Sequence, residues 1–192
     1  MPSRLQRHDE PNQIHFITFS CFRRLQFFRH DSVKLAFIEA MKSTRETFKI
    51  RWIGYVIMPE HVHLLTAPQA KGSNEITPIS PILNMLKGAS GHDGKEALRD
   101  IWRSKRSLGT RPLDAWATGQ GARPFWKPRG YDFNVVRDDT LLEKLDYIHK
   151  NPIRRCLVDR AEQWRWSSFP YYQSGDDSLI DMNWNGDIPF EF

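Results

Sequence analysis

The chain has only two cysteines, Cys21 and Cys156, and they do not form a CxxC pair. Neither a disulfide framework nor a cysteine-rich zinc site is therefore indicated. No apolar run approaches the ~20 residues that a membrane-spanning helix needs, and the polar N-terminus lacks the hydrophobic region of a signal peptide. These absences predict a cytoplasmic protein with no membrane partner.

Basic residues are absent from the C-terminal segment. Residues 171–192 hold 5 of the 23 acidic residues and no Lys or Arg, so residues 1–170 carry 28 basic against 18 acidic side chains, a net charge of +10. The positive charge of residues 1–170 indicates a polyanionic partner, most simply nucleic acid. The alternative is that this charge serves only solubility. The acidic end is expected to be mobile or loosely packed.

The length of 192 residues suits one domain, expected over residues 1–172, with an acidic tail over 173–192. Residue patterns predict strands at 14–20, 51–58, 61–67 and 131–136, and helices at 33–48, 81–98 and 141–150. Residues 68–78 are predicted to be a loop, and residues 103–124 a long basic loop. The order β-α-β-β-α-β predicts an α+β, ferredoxin-like (split βαβ) antiparallel sheet with helices on one face.

Two histidines open the third predicted strand. Residues two apart on a strand project from the same face, so His61 and His63 point the same way, with Cα atoms roughly 6.6 Å apart. Two imidazoles at this spacing can converge on one metal ion, while Val62 and Leu64 face a core. The alternative is two exposed histidines on the polar face of an amphipathic strand.

The last predicted helix places Tyr147 and Asn151 on one face, four residues apart. The tyrosine supplies a phenol oxygen that can attack a phosphodiester, and the asparagine supplies a carbonyl oxygen suited to a hard divalent ion. Pro152 is expected to limit this helix near Asn151. The alternative is a boundary tyrosine followed by a C-terminal capping asparagine.

Together these segments resemble a known family. Residues 58–65, with their His-hydrophobic-His pair, and residues 147–155 resemble the two motifs of the single-tyrosine transposases, in the form of the REP-associated tyrosine transposases. Further similar pieces occur in the family's order at residues 15–19, 86–88, 125–127 and 166–168. Cys156 departs from the small residue, usually Gly, that the family has after its basic pair.

The resemblance implies a metal-dependent single-stranded DNA endonuclease and strand transferase. Carried over to this sequence, Tyr147 is the nucleophile that forms a 5′-phosphotyrosyl intermediate, and His61, His63 and Asn151 bind Mg²⁺ or Mn²⁺. The implied partner is single-stranded DNA, as a hairpin with a flanking guide sequence, and a monomer is favoured over a dimer. His149 is interpreted as a solvent-facing residue of the same helix, with a proton shuttle or a group that supports the metal ligands as the alternative.

DNA contacts require cations and stacking rings. Trp126 is a candidate stacking platform, with a core position as the equal alternative, and the candidate phosphate-binding cations are Arg23, Arg24, Lys87, Lys127, Arg129, Arg154 and Arg155. Two other functions stay open from the residues alone. One is a DNA-binding module that does not cleave, and the other is a metal phosphodiesterase that uses water instead of a tyrosine.

Overall fold

The computed structural model describes residues 13–71, 75–106 and 124–182. Four strands form one antiparallel sheet: β1 (Ile14–Ser20), β2 (Ile50–Ile57), β3 (His61–Pro68) and β6 (Tyr131–Val135). Their spatial order is β2-β3-β1-β6. A short second hairpin, β4 (Ala70–Lys71) with β5 (Glu75–Ile76), occupies part of the segment predicted to be a loop.

Two long helices cover one face of the sheet. They are α1 (Asp31–Phe48), between β1 and β2, and α2 (Ile79–Arg106), between β5 and β6. Buried side chains of both helices pack with those of the sheet residues that face them, such as Ile17, Val62 and Leu64. The predicted α+β, ferredoxin-like fold with its split βαβ order is therefore confirmed.

A third helix, α3 (Asp138–Arg154), lies on the opposite face of the sheet. Its apolar stripe of Leu141, Leu145 and Ile148 is buried against β2 and β3 residues such as Val56 and Leu65. The face expected to be free of helices is thus partly covered by the helix that carries the predicted tyrosine. A short helix, α4 (Phe169–Ser174), follows later in the chain.

Helix α2 is longer than its sequence pattern predicted. It continues to Arg106, so residues 103–106 of the predicted basic loop are helical, and residues 107–123 of that loop lie outside the described part of the chain. Gly91 and Gly94 interrupt the sequence pattern because Phe125 and Trp126 pack directly on them. A Cβ at Gly94 would lie 2.7 Å from Phe125 Cε2, and one at Gly91 would lie 3.3 Å from Trp126 Cδ1.

The expectation that Pro152 limits α3 near Asn151 is wrong. The helix runs through Pro152 to Arg154. Proline removes one N–H donor, but the Asn151 carbonyl still accepts from Arg155 N at 3.1 Å and the Pro152 carbonyl accepts from Leu157 N at 3.0 Å. The donor that proline lacks would bond the carbonyl four residues earlier, that of Ile148, so these bonds of the last turn form independently of it.

The acidic C-terminal segment is docked over the part that the structure describes. Ile180 and Met182 are buried in the core that α1 and α2 form with the sheet, and the Arg45 guanidinium donates to the Asp181 carbonyl. The expectation of a mobile or loosely packed end is wrong for these residues, because two apolar side chains among the acids anchor it; residues 183–192 lie outside the described range. Within the described ranges, no helix is long and apolar enough to cross a membrane.

The backbone at Cys156 shows why the family usually has glycine at this position. It ends α3 with a φ of 52°, in the left-handed region that favours glycine. Its N–H donates to the Ile153 carbonyl at 2.8 Å, and that of Leu157 donates to the Pro152 carbonyl, the bonding pattern of a Schellman motif. A side chain at this position therefore costs conformational energy.

We expect Cys156→Gly to raise the free energy of unfolding by about 1 kcal/mol, because glycine adopts the left-handed region without the Cβ clash. Urea denaturation measures the change. Gly175, with a φ of 71° after α4, provides the reverse control, since Gly175→Ala is expected to destabilise the protein. A Cys156→Gly protein less stable than the parent would contradict a left-handed backbone conformation at this position.

Candidate active site

The histidine pair converges as its strand spacing predicts. His61 and His63 lie on the α3 face of β3, with their Nε2 atoms 3.1 Å apart, while Val62 and Leu64 are buried on the other face. Both histidines are nearly buried, at 6% and 5% exposure. The alternative of two exposed histidines on a polar strand face is therefore wrong.

Two neighbours fix the orientation of the imidazoles. Glu60 Oε1 lies 3.2 Å from His61 Nδ1, and Thr18, the cross-strand partner of His63, places Oγ1 2.7 Å from His63 Nδ1. The hydrogen bond from His61 is the largest cause that lowers the pKa of Glu60. Because a carboxylate only accepts, His61 Nδ1 donates the proton of this hydrogen bond, and His61 Nε2 faces His63.

Helix α3 brings the other two predicted residues to this pair. Asn151 Nδ2 lies 3.3 Å from His63 Nε2, and the Tyr147 ring centroid lies 5.2 Å from that of His63. Asn151 is 5% exposed, and its Oδ1 accepts no hydrogen bond from the described residues. A half-turn of the amide exchanges its nitrogen and oxygen, so the same side chain can present a carbonyl oxygen to the imidazoles.

These donors fit a hard or borderline divalent cation. The described ranges contain no group of three or more His, Cys, Asp or Glu that could hold a metal. The Asn151 amide is the polar side chain next to the imidazoles that can add an oxygen donor to theirs. Two imidazole nitrogens and one amide oxygen suit Mn²⁺ or Mg²⁺ better than a closed structural zinc site. Hydrogen-bonded partners behind the ligands, here Glu60 and Thr18, are typical of metal-binding histidines.

Burial keeps His63 in the form that binds a cation. Burial, and then the charges of His61 and Arg24, lower the pKa of His63 to about 3. The ring is therefore neutral near pH 7 and can offer a lone pair. It stacks on Phe16, with centroids 5.6 Å apart and planes at 12°, which holds the ring in place.

Three of the predicted cations surround the same cavity. It has a volume of about 480 Å³ and is lined by both histidines, Tyr147, Asn151 and the guanidinium groups of Arg24, Arg154 and Arg155. Arg155 Nη2 lies 2.9 Å from Glu60 Oε1, and Arg24 Nη1 lies 3.6 Å from it. The cavity thus concentrates positive charge around one carboxylate and two imidazoles.

The other predicted cations lie elsewhere. Lys87 and Lys127 line a groove beside α2, and Arg129 lines a smaller cavity on the α1–α2 face of the sheet. Arg23 packs its guanidinium over the Phe22 ring at 5.5 Å. None of these four lines the cavity of the histidines.

Two interpretations of aromatic residues are corrected by the fold. Trp126 is 6% exposed and packs against Phe19 and Phe28, with its Nε1 donating to Ser90 Oγ at 3.2 Å, so it is a core residue rather than a stacking platform. His149 is not solvent-facing: it is 3% exposed and its Nε2 lies 2.9 Å from Ser168 Oγ. The segment after α3 packs over this side of the helix and covers His149.

The residues that support the two histidines do not stand out in the sequence pattern. Glu60 immediately precedes His61, and Thr18 lies in the first predicted strand, but pairing between β1 and β3 was needed to place Thr18 opposite His63. Phe16, Tyr131 and Lys144 also line the cavity. Phe16, Thr18 and Ser20 alternate along β1 and therefore share one face of the sheet, a pattern from which their place beside the histidines could have been predicted.

A family model described as "Transposase IS200 like" matches residues 11–109, just over half of the chain. The chain belongs to this family. A protein of Haemophilus influenzae assigned as a REP-associated tyrosine transposase is 24% identical over 157 residues, which cover 81% of this chain and 79% of that protein. The REP-associated tyrosine transposase of Escherichia coli K12 is 21% identical over 135 residues, covering 70% of this chain and 62% of that protein.

A solved structure of a REP-associated tyrosine transposase bound to a REP hairpin has the same fold. It superposes with a TM-score of 0.62 at 18% identity and covers 98% of this chain and 94% of that chain. The predicted resemblance to the REP-associated tyrosine transposases is therefore confirmed. IS200-like transposases are DNA-processing proteins, so this protein is a transposase-family DNA-processing protein.

The buried His149 predicts a pH-dependent stability. Burial lowers its pKa from 6.5 to about 3, so as the pH falls the unfolded chain binds the proton before the folded chain does. Stability is then lost between about pH 6.5 and pH 3, with a contribution from this residue of up to about 1.4 kcal/mol per pH unit. His149→Gln should remove that contribution while keeping a partner for Ser168.

Urea denaturation from pH 7 to pH 4 measures the slope. The matched control is His92→Gln, because His92 is an exposed histidine of α2 and its loss should leave the slope unchanged. Equal slopes in the parent and in His149→Gln would show that the folded protein accepts the proton at this position.

Proposed function

We propose that the protein is a metal-dependent single-stranded DNA endonuclease and strand transferase that acts in DNA transposition or REP-element processing. The supporting observation is that the two imidazoles, the Asn151 amide and the Tyr147 phenol line one cavity together with three arginines. These groups come from a sheet face and a helix some eighty residues apart in sequence. Their chemistry is that of phosphodiester transfer to a tyrosine.

The proposed step exchanges one phosphate ester for another. The Tyr147 hydroxyl oxygen attacks the phosphorus of a DNA phosphodiester and loses its proton, while the bond from phosphorus to the 3′ oxygen breaks and that oxygen gains a proton. The products are a 5′-phosphotyrosyl protein and a free 3′-hydroxyl. Because the number of ester bonds is unchanged, the step is reversible, and a second 3′-hydroxyl can attack the intermediate and join another strand.

Charged side chains of this chain hold the phosphate and favour the phenolate. The Arg154 guanidinium carbon lies 5.1 Å from the Tyr147 ring centroid, where its charge stabilises negative charge that develops on the ring. Arg24 and Arg155 line the same cavity and can donate to non-bridging phosphate oxygens. These arginines can stabilise the charge of the phosphate whether or not a metal ion is bound.

The proposed metal ligands are His61, His63 and Asn151, and the proposed ion is Mg²⁺ or Mn²⁺. A divalent ion bound there would supply Lewis-acid polarisation of a phosphate oxygen. Glu60 and Thr18 orient the two imidazoles through their Nδ1 atoms. The neutral donor set leaves the charge of the cation undiminished.

The proposed DNA substrate is a hairpin with a flanking single-stranded guide sequence. The structurally similar transposase was solved bound to a REP hairpin, which supports a hairpin partner here. A monomer is proposed as the acting unit, since one chain contributes all four groups to the cavity and no exchange of helices between subunits is required. The remaining alternatives are a non-cleaving DNA-binding module and a phosphodiesterase that uses water.

A covalent-adduct assay tests the proposal. Labelled single-stranded hairpin oligonucleotides are incubated with the protein and Mn²⁺ or Mg²⁺ and analysed on a denaturing gel. We expect a protein–DNA adduct that Tyr147→Phe abolishes and that Tyr171→Phe, a control tyrosine of α4, retains. Binding without cleavage would instead indicate a binding module, and cleavage without an adduct would indicate water as the nucleophile.

The support of His63 by Thr18 predicts a change in metal affinity. Thr18→Val removes the hydroxyl at 2.7 Å from His63 Nδ1 and keeps the side-chain shape, so Mn²⁺ affinity should fall by about 10- to 100-fold. Isothermal titration calorimetry without DNA measures it. Thr44→Val removes a buried hydroxyl of α1 that bonds the Ala40 carbonyl and should leave Mn²⁺ affinity unchanged. Equal affinities of all three proteins would contradict the proposed support of a metal-binding His63 by Thr18.

A further inference from the structure

One aromatic ring stands half-exposed at the rim of the cavity of the histidines. Tyr131, the first residue of β6, lines this cavity and is the most exposed aromatic residue of the described ranges, at 47%. Covering an aromatic ring from water is favourable, so a ring left exposed beside a binding cavity is available to a ligand. Trp126, the stacking platform expected from the sequence, is buried and offers no such surface.

The sheet holds Tyr131 on the side of the candidate active site. Its cross-strand partner is Thr18, whose hydroxyl contacts His63. A Cβ at the preceding residue, Gly130, would lie only 2.8 Å from the Thr18 carbonyl oxygen, so β6 approaches β1 closely at this point. Because β6 is the edge strand of the sheet, this pairing places the ring at the outer boundary of the cavity.

Phe16 connects Tyr131 to the proposed nucleophile. The Phe16 ring meets the Tyr131 ring edge-on, with centroids 6.3 Å apart, and meets the Tyr147 ring edge-on at 6.0 Å. The two tyrosine rings therefore lie within about 12 Å of each other, a distance that a stacked strand covers in a few nucleotides at about 3.4 Å each. A strand with one phosphate at Tyr147 can thus bring a nearby base onto Tyr131.

Lys144 adds a cation to this group of rings. It lies one turn before Tyr147 on α3 and lines the same cavity. Its ammonium lies 5.8 Å from the Phe16 ring centroid and 5.9 Å from that of Phe133. It also pairs with Glu143 at 3.0 Å, but Glu143 is exposed, and ion pairs with exposed groups are weak. A cation close to an exposed ring suits a nucleotide, which presents a phosphate and a base together.

We propose that Tyr131 is a stacking platform for one unpaired base of the DNA strand whose phosphodiester lies at Tyr147. The base stacks on the exposed ring, and Lys144 contacts a phosphate between that base and the reacting phosphodiester. Every base has a π face, so the platform accepts any base and prefers those that stack more strongly. The inference rests on the proposed function for the identity of the polymer, and it makes Tyr131 a positioning residue for the strand.

Equilibrium binding in EDTA tests the platform without cleavage. The probes are a fluorescent thymidine dodecamer and an abasic strand of equal length and charge, in which tetrahydrofuran replaces each nucleoside. Fluorescence anisotropy gives the affinities. We expect the parent protein to prefer the thymidine strand, and we expect Tyr131→Leu to reduce that preference by about 5- to 150-fold, the range for one base stacked on an aromatic ring. Tyr131→Gln replaces this variant if it fails to fold.

Three further variants separate stacking from other effects. Tyr131→Phe keeps the ring and should retain the preference of the parent protein. Lys144→Ala should weaken both strands equally and reduce the slope of log affinity against log salt by about 1. Tyr171→Leu is the matched control, because it makes the same substitution in α4, outside the cavity of the histidines, and it should leave the preference intact.

The fluorescence of 2-aminopurine gives a second readout that does not depend on affinity. A thymidine dodecamer with 2-aminopurine at every second position is saturated with protein, and each such base that stacks on a tyrosine ring loses emission. The complex of Tyr131→Leu should emit more than that of the parent protein, whereas the complex of Tyr171→Leu should match the parent. Equal emission from all three complexes would count against stacking on Tyr131.

The proposal is overturned if the parent protein shows no preference for the thymidine strand, or if Tyr131→Leu leaves that preference unchanged. Because no metal is present, these results are independent of whether Tyr147 forms an adduct. An adduct with no effect of Tyr131→Leu would reject the platform and keep the proposed function, and a preference that depends on Tyr131 without any adduct would do the reverse.

Discussion

The packing of α3 across the sheet is the interaction on which the candidate site depends. Leu141, Leu145 and Ile148 are buried against β2 and β3, and each such side chain contributes about 1.5–3 kcal/mol through removal of apolar surface from water. The fit is close at Gly54, where a Cβ would lie only 2.6 Å from Leu145 Cδ1. The helix can approach this near only because β2 has no side chain there.

That packing also sets the electrostatics of the site. Residues on the other side of α3 are carried into a cavity with two buried imidazoles, and burial of such polar groups costs free energy unless each finds a partner. Thr18 and Glu60 supply partners for the outer nitrogens, and Asn151 Nδ2 reaches the inner nitrogen of His63. Asn151 Oδ1 is buried without a hydrogen-bond partner among the described residues, and a half-turn of the amide would present it to the imidazoles.

Local patterns were sufficient for the elements and for the two halves of the site. Strand alternation alone predicts that His61 and His63 share a face, and helical spacing predicts that Tyr147 and Asn151 share another. That the two faces meet depends on α3 crossing the sheet, which periodicity does not encode. The same limit explains Trp126, whose place in the core follows from two α2 glycines, and His149, which is buried by a segment that follows α3.

Segments with conflicting local signals were predicted least well. The predicted helix 81–98 passes the three glycines of α2 but stops short of Arg106, and Pro152 favours an earlier end to α3, yet both helices continue. Contacts beyond the local sequence outweigh these preferences, of order 1 kcal/mol for a glycine and more for a proline. The charge of the C-terminal segment predicts a loosely packed tail, but the buried side chains of Ile180 and Met182 dock it against the core.

Several residues near the site have a backbone conformation that is unfavourable for a residue with a side chain. Positive φ occurs at the non-glycine residues Arg23, Arg24, Lys49, Arg129 and Cys156 of the described chain. At Arg24 and Arg129 a glycine would relieve the backbone but would lose a guanidinium that lines a cavity. Strain of this kind persists where a side chain has a use. Cys156 is exposed and lines neither of these cavities, so its positive φ destabilises the fold with no contact that explains the side chain.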